Sequence, residues 1–112
     1  MPTDYYVNLT PQYASQVRRH FVDRCNQRGI RGMTDKIARA MNNSVNDNKP
    51  ITWLKLYREP AWSTKIYEMD LKGTKFYFIY DVRKQGFVTV ITAEQMAERD
   101  SKTSSLHSKN KS

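Results

Sequence analysis

His20, Arg24 and Arg28 follow one another at intervals of four residues. On a helix that spacing stacks them into one ridge along a single face. Guanidinium forks match the oxygens of a phosphate, and an imidazole can give or take a proton near neutral pH. One His between basic neighbours is therefore a set of groups suited to a phosphodiester. The same ridge also suits a plain solvated face, because basic side chains near a helix C-terminus are favoured by the macrodipole. Arg19 and Arg31 extend the positive charge on either side of it.

Other chemistries find no support in the chain. Its only histidines are His20 and His107, so a His-rich metal site is not expected, nor is a cofactor. It holds no Cys-x-x-Cys, no glycine-rich phosphate loop and no nucleophile elbow. The single cysteine, Cys25, falls on the inner stripe of the first helix and reads as a small core residue. Nineteen basic residues against 11 acidic ones give a net charge of +8 over 112 residues, a balance that favours a polyanionic partner or an acidic protein surface. One cysteine precludes an internal disulfide and suits a reducing compartment. No apolar run approaches the roughly 18 residues of a membrane span, and "MPTDYYVNLT" has no basic segment leading into an apolar one. A cytoplasmic protein with no membrane partner is expected.

Two helices must carry and brace the ridge. In "LTPQYASQVRRHFVDRCNQRG" Thr10 is an N-cap, Pro11 occupies the first helical position and Gly29 supplies a left-handed stop. Ala14, Val17, Phe21 and Cys25, with Tyr13 and Val22 beside them, form the apolar stripe, and the ridge borders it. The ridge can thus face a groove between helix and sheet. "MTDKIARAMNN" follows with Thr34 as N-cap and Ile37, Ala38 and Met41 inward, and "NNSVNDNKP" reads as a loop.

After Pro50 the period changes. "ITWLKLY" has strand composition, "EPAW" turn chemistry, and residues 64–92 read as a three-stranded meander. A two-residue turn at Lys72-Gly73 pairs Leu71 with Thr74, Met69 with Phe76, Tyr67 with Phe78 and Asp70 with Lys75. A longer loop at "RKQG" pairs Val82 with Phe87, Tyr80 with Thr89 and Phe78 with Ile91. One face then carries Tyr67, Met69, Phe76, Phe78, Tyr80, Phe87 and Ile91, against which the helices pack. The other face is mixed: Glu68, Tyr77 and Asp81 stand there with Ile66, Ile79, Val88 and Val90, so part of it is covered or used. Tyr77 is its best candidate for stacking an unpaired base, and Lys65 lies nearby as a phosphate contact. "TAEQMAERD" opens with a Thr-x-x-Gln capping box and makes a short last helix. The expected architecture is α+β: two N-terminal helices on one face of an antiparallel sheet of about four strands, one domain over residues 1–99, and a mobile basic tail from 100 to 112.

In this order of elements, "RHFVDRCNQRGI" and "YEMDLKGTKFYFIYDVRKQGFVTVIT" resemble the small ribonucleases of the barnase–colicin–RelE grouping, and among them the RegB-like endoribonucleases of phages. The resemblance runs from about Tyr13 to Thr92, and the His-x-x-x-Arg-x-x-x-Arg-Gly-Ile signature is its most specific part. It implies His20 and Arg24 in an active site, with Arg28 on phosphate. The implied reaction is metal-independent attack of an RNA 2′-hydroxyl on its own phosphate, leaving a 2′,3′-cyclic end. A base, an acid and cations for the phosphorane are required. RegB-like enzymes place a second His on the following helix, where this chain has "IARAMNN". The second acid or base is then open among Glu68, Tyr77 and Lys65.

Three functions fit these residues. One is an endoribonuclease acting on single-stranded or ribosome-associated RNA. Another is an RNA- or DNA-binding module that uses the same ridge, with Arg19, Arg28, Arg31 and Lys65 as contacts. The last is a small phage-type protein that binds an acidic host protein in the host cytoplasm.

Overall fold

A computed structural model of the protein describes residues 10–101. Helix α1 spans Pro11–Gln27 and α2 spans Asp35–Asn46. Strands β1 (Lys55–Ala61), β2 (Thr64–Leu71), β3 (Thr74–Asp81) and β4 (Gly86–Thr92) follow, and residues 93–101 form a last helix, α3. The sheet is antiparallel in the order β1-β2-β3-β4. Helices α1 and α2 cover one face and α3 lies on the other, so the α+β architecture is as expected.

Helix α1 starts and stops where its sequence dictates. The Thr10 hydroxyl accepts the Tyr13 N–H at 3.1 Å, and Pro11 gives up no hydrogen bond at the first turn. At the other end Gly29 takes φ +97°, and the Ile30 and Gly29 N–H groups donate back to Cys25 and Asn26 carbonyls at 2.8 and 3.2 Å. Ile30 thereby turns into the core beside Cys25. Helix α2 begins at Thr34, whose hydroxyl accepts the Ile37 N–H at 3.2 Å. Arg18 of α1 holds Asp35 of α2 at 2.7 Å, a contact that keeps the Asp35 carboxyl below the usual range and ties the helices together.

Of the asparagine-rich stretch expected as a loop, residues 42–46 are instead the end of α2, and residues 47–50 leave the helix as expected. Val45 packs against the same core as Met41, one turn earlier. The asparagines find partners on the sheet: Asn42 Oδ1 accepts the Phe87 N–H at 2.9 Å, and Asn46 donates to the Gln85 carbonyl at 3.1 Å. Asn46 Oδ1 also accepts the Tyr80 hydroxyl. These side chains dock α2 onto the β3–β4 connection, and Asn48 at φ 54° ends the helix.

The β2–β3 hairpin has the expected register throughout, with Lys72 and Gly73 both at positive φ, as a type I′ turn requires. Asp70 and Lys75 stand opposite each other, although the lysine amine meets Glu68 at 3.5 Å while the Asp70 carboxylate accepts the Gly73 N–H at 2.8 Å. The β3–β4 register differs from the expected one. Tyr80 faces Phe87 and Phe78 faces Val90, with an extra residue, Val88, bulged out of β4 between them. The bulge exchanges two residues: Val90 enters the helix-facing core, and Ile91 joins Ile66, Tyr77 and Met96 on the opposite face. The first strand also begins later than its composition suggests. Residues 51–54 form a turn, and Glu59, Pro60 and Ala61 belong to β1 rather than to the turn, which falls at Trp62 and Ser63. Pro60 is tolerated there because β1 is an edge strand.

Phe87 is the hub of the main core, with the rings of Phe21, Tyr67, Phe78 and Tyr80 all within 6.1 Å of it. The folded part reaches past the expected boundary at residue 99, because Asp100 is bound to Arg58 of β1 at 2.5 Å. The rest of the expected tail, with His107, lies outside the described residues.

Candidate nucleic-acid interface

The ridge on α1 is set by what the helix buries. Phe21 and Cys25 are fully buried, which turns the adjoining His20, Arg24 and Arg28 outward as three exposed side chains. Four residues advance a helix by about 6 Å, so the ridge runs about 12 Å. The Gly29 stop makes Arg28 the C-cap, which places its charge at the negative end of the helix dipole.

A groove of about 590 Å³ runs beside this ridge. Its base is the free edge of β4, where the bulged Val88 stands with Thr89 and Ile91. Gln95, Glu98 and Arg99 of α3 form the far wall. The groove therefore straddles the edge of the sheet, with α1 on one face and α3 on the other.

Three contacts set α3 as that wall. The Thr92 hydroxyl accepts the Gln95 N–H at 3.2 Å while the Gln95 side chain accepts the Thr92 N–H at 2.9 Å, the reciprocal capping box read from the sequence. Met96 is buried over Ile66, Tyr77 and Ile91. Across the back of the sheet Asp100 is held by Arg58 at 2.5 Å and by the Tyr57 hydroxyl at 3.4 Å. The capping residue Gln95 is itself a groove residue. Helix start and groove wall are thus one feature.

Three guanidinium groups (Arg24, Arg28 and Arg99), one imidazole and one carboxylate line this space. Cations that can hold a phosphate stand beside two side chains of opposite acid–base character. His20 and Glu98 are of the types that exchange protons with a ribose hydroxyl and a leaving oxygen.

The other expected site residues lie elsewhere. Glu68 and Tyr77 face each other across β2 and β3 on the α3 side of the sheet, and neither lines the groove. Tyr77 is buried, its ring 4.8 Å from that of Tyr57; burial first, and then the Glu68 carboxylate, keep its phenol above the ordinary range. A buried ring has no face left for a base. Lys65 stands opposite Tyr80 and lines a separate cavity near the C-terminal end of α2. Arg19 and Arg31 are exposed beside the ridge without lining the groove. Cys25 is fully buried, and that burial pushes its thiol up to about 12, which suits its expected role in the core.

Glu98 and Arg99 were not among the residues singled out by type and spacing. Their signal was nevertheless present: Gln95, Glu98 and Arg99 are three and four residues apart behind a capping box, hence on one helical face. What the sequence does not carry is that this face turns back toward α1. Among the described residues no group of three or more His, Cys, Asp or Glu side chains is placed to hold a metal ion. No helix there is long and apolar enough to cross a membrane. Comparison with family models, with curated proteins and with solved structures finds no match.

Proposed function

We propose that the groove binds the backbone of single-stranded RNA and that the protein cleaves the bound strand without a metal ion. The observation that carries this reading is the convergence of His20, Arg24 and Arg28 with Glu98 and Arg99 on one cleft. Arg24 and Arg28 hold the non-bridging phosphate oxygens, and their charge opposes the negative charge that builds up on the phosphorane. One of His20 and Glu98 takes the 2′-hydroxyl proton. The resulting oxyanion attacks the adjacent phosphorus, the bond to the 5′-oxygen breaks, and the other group protonates that oxygen. The products are a 2′,3′-cyclic phosphate and a 5′-hydroxyl. Glu98 replaces Glu68 and Tyr77 as partner of the imidazole in this scheme, because Glu68 lies on β2, Tyr77 is buried, and neither lines the groove.

The test is incubation of the purified protein with mixed-sequence single-stranded RNA in EDTA, with the new ends mapped. New cyclic phosphate ends that disappear in His20→Ala and fall at least a hundredfold in Glu98→Gln are the expected result. Intact RNA accompanied by a salt-dependent gel shift leaves a binding groove and removes the chemistry. That second reading is favoured by one observation: the groove brings together a single histidine, where RegB-like enzymes use two. Neither cutting nor binding, with or without ribosomes, overturns both readings and favours an acidic protein partner.

A further inference from the structure

Trp53 is a large apolar side chain that the core does not absorb; it is 40 % exposed. Its backbone is nonetheless firmly seated. It lies in the turn that the Leu54 N–H closes onto the Ile51 carbonyl at 3.1 Å, and Leu54 is buried next to it. The indole borders two cavities on the β1–β2 side of the sheet. One, of about 500 Å³, is walled by Met33, Ile37, Met69 and Leu71, and Asp70 is its one charged residue. The other, of about 330 Å³, holds Lys55, Lys75 and Glu68, again with Asp70. Trp53 and Asp70 belong to both.

Asp70 is unusual in how little it does for the fold beyond its turn. One carboxylate oxygen accepts the Gly73 N–H at 2.8 Å, which pins the side chain. The other has no hydrogen-bond partner among the described residues, since the amine of the facing Lys75 goes to Glu68. A fixed acceptor thus stands at the mouth of an apolar slot, with an aromatic wall on one side and, beyond it, the Lys55 ammonium beside the Lys75–Glu68 pair. This combination matches one kind of ligand: a flat heteroaromatic ring bearing N–H donors on its edge and a phosphate on its tail.

We infer that Trp53 and Asp70 form a binding site for one unpaired nucleobase of a nucleotide. The ring enters the apolar cavity and stacks on the indole, with the polarisable thioethers of Met33 and Met69 against it. Its edge donates to the free Asp70 oxygen, and its phosphate turns around the indole to Lys55, the ammonium in that cavity that Glu68 does not hold. The RNA reading of the α1 groove supplies the source of the base. Lys55, Glu68, Tyr77 and Ile91 stand in one row across β1 to β4, so Lys55 and the groove are three strand spacings apart, about 14 Å. Tyr77 and Ile91 of that row are buried beneath Met96, so a single RNA strand that touches both sites passes around α3.

Indole fluorescence tests the site directly, because the chain has only two tryptophans. In a Trp62→Phe background each of the four nucleoside 5′-monophosphates is titrated against the full chain, with ribose 5-phosphate as the base-free control. Saturable quenching by at least one nucleotide and none by ribose 5-phosphate is expected. Asp70→Asn keeps an oxygen for the Gly73 N–H, so the hairpin is retained while nucleotide affinity falls about tenfold. Arg24→Ala leaves the quenching unchanged. The inference is overturned if no nucleotide gives saturable quenching, if ribose 5-phosphate quenches as well, or if Asp70→Asn binds as tightly as the parent. Such a failure with RNA still bound in the groove removes the Trp53 site alone. Intact quenching with no RNA held by the groove removes the groove reading alone.

Discussion

Burial holds the thiol of Cys25 and the phenol of Tyr80 at about 12 each, against ordinary values of 9 and 10. Both groups are charged only when deprotonated, and the folded protein resists that change. Their stabilising effect is therefore complete below about pH 8, where both stay protonated in the unfolded chain as well, and is lost as pH rises toward 12. The urea midpoint should be level from pH 7 to 8.5 and fall steeply above pH 9, with Cys25 alone accounting for a loss on the order of 2 kcal/mol by pH 11. Cys25→Ala should lower stability at neutral pH and flatten that fall, whereas an unchanged slope would rule the thiol out as its cause. Tyr80 also donates its hydroxyl to Asn46, so Tyr80→Phe leaves a half-buried amide oxygen without its donor. A loss of about 1 kcal/mol in equilibrium unfolding is expected. The ridge residues contrast with these. His20→Ala and Arg24→Ala change exposed side chains and should move the unfolding midpoint by less than about 0.5 kcal/mol while altering how RNA is handled.

Elements were legible where the chemistry was local. The caps at Thr10, Thr34 and Thr92, the Gly29 stop and the Lys72-Gly73 turn each need only a few neighbouring residues, and each stands where its sequence signal lies. What was not legible depends on distant partners. The asparagines ending α2 read as loop until Asn42 and Asn46 are seen bound to the β3–β4 connection. Tertiary hydrogen bonds there override a composition that disfavours helix. The β4 bulge is hidden likewise, because a one-residue slip exchanges Val90 and Ile91, and two aliphatic neighbours look alike in a sequence. Half of the candidate site was visible for the same reason: the ridge is local to α1, while its opposite wall arrives with α3. That wall can be tested separately. Arg58→Ala removes the clasp on Asp100 from the far edge of the sheet, and amide exchange in residues 93–101 should quicken while the β2–β3 hairpin keeps its protection. Gly29→Ala meets no atom within 4 Å but must hold φ +97°, so its expected cost of about 1 kcal/mol is one of backbone conformation alone.

For the whole molecule, a net charge of +8 favours polyanions in general, and in the proposed reading the groove determines where one rests. The two contributions separate by ionic strength. A plot of log affinity against log salt for single-stranded RNA should lose about one unit of slope in either Arg24→Ala or Arg28→Ala, and very little in Arg83→Ala, which is exposed on the β3–β4 loop. Equal losses at all three positions would mean that RNA samples the surface without settling in the groove.

The two outer strands share a defect with a further use. Tyr57 and the Glu59–Pro60 stretch interrupt the register of β1, and Val88 interrupts that of β4. A regular outer strand is a template on which a second copy can add its own, and the sheet then grows from molecule to molecule. Here neither border offers an unbroken row of donors and acceptors, and one is flanked by arginines that repel their like. The protein should accordingly stay monodisperse when concentrated, even though its sheet is open on both sides. The irregularity that shapes the groove also makes each molecule a poor neighbour for the next.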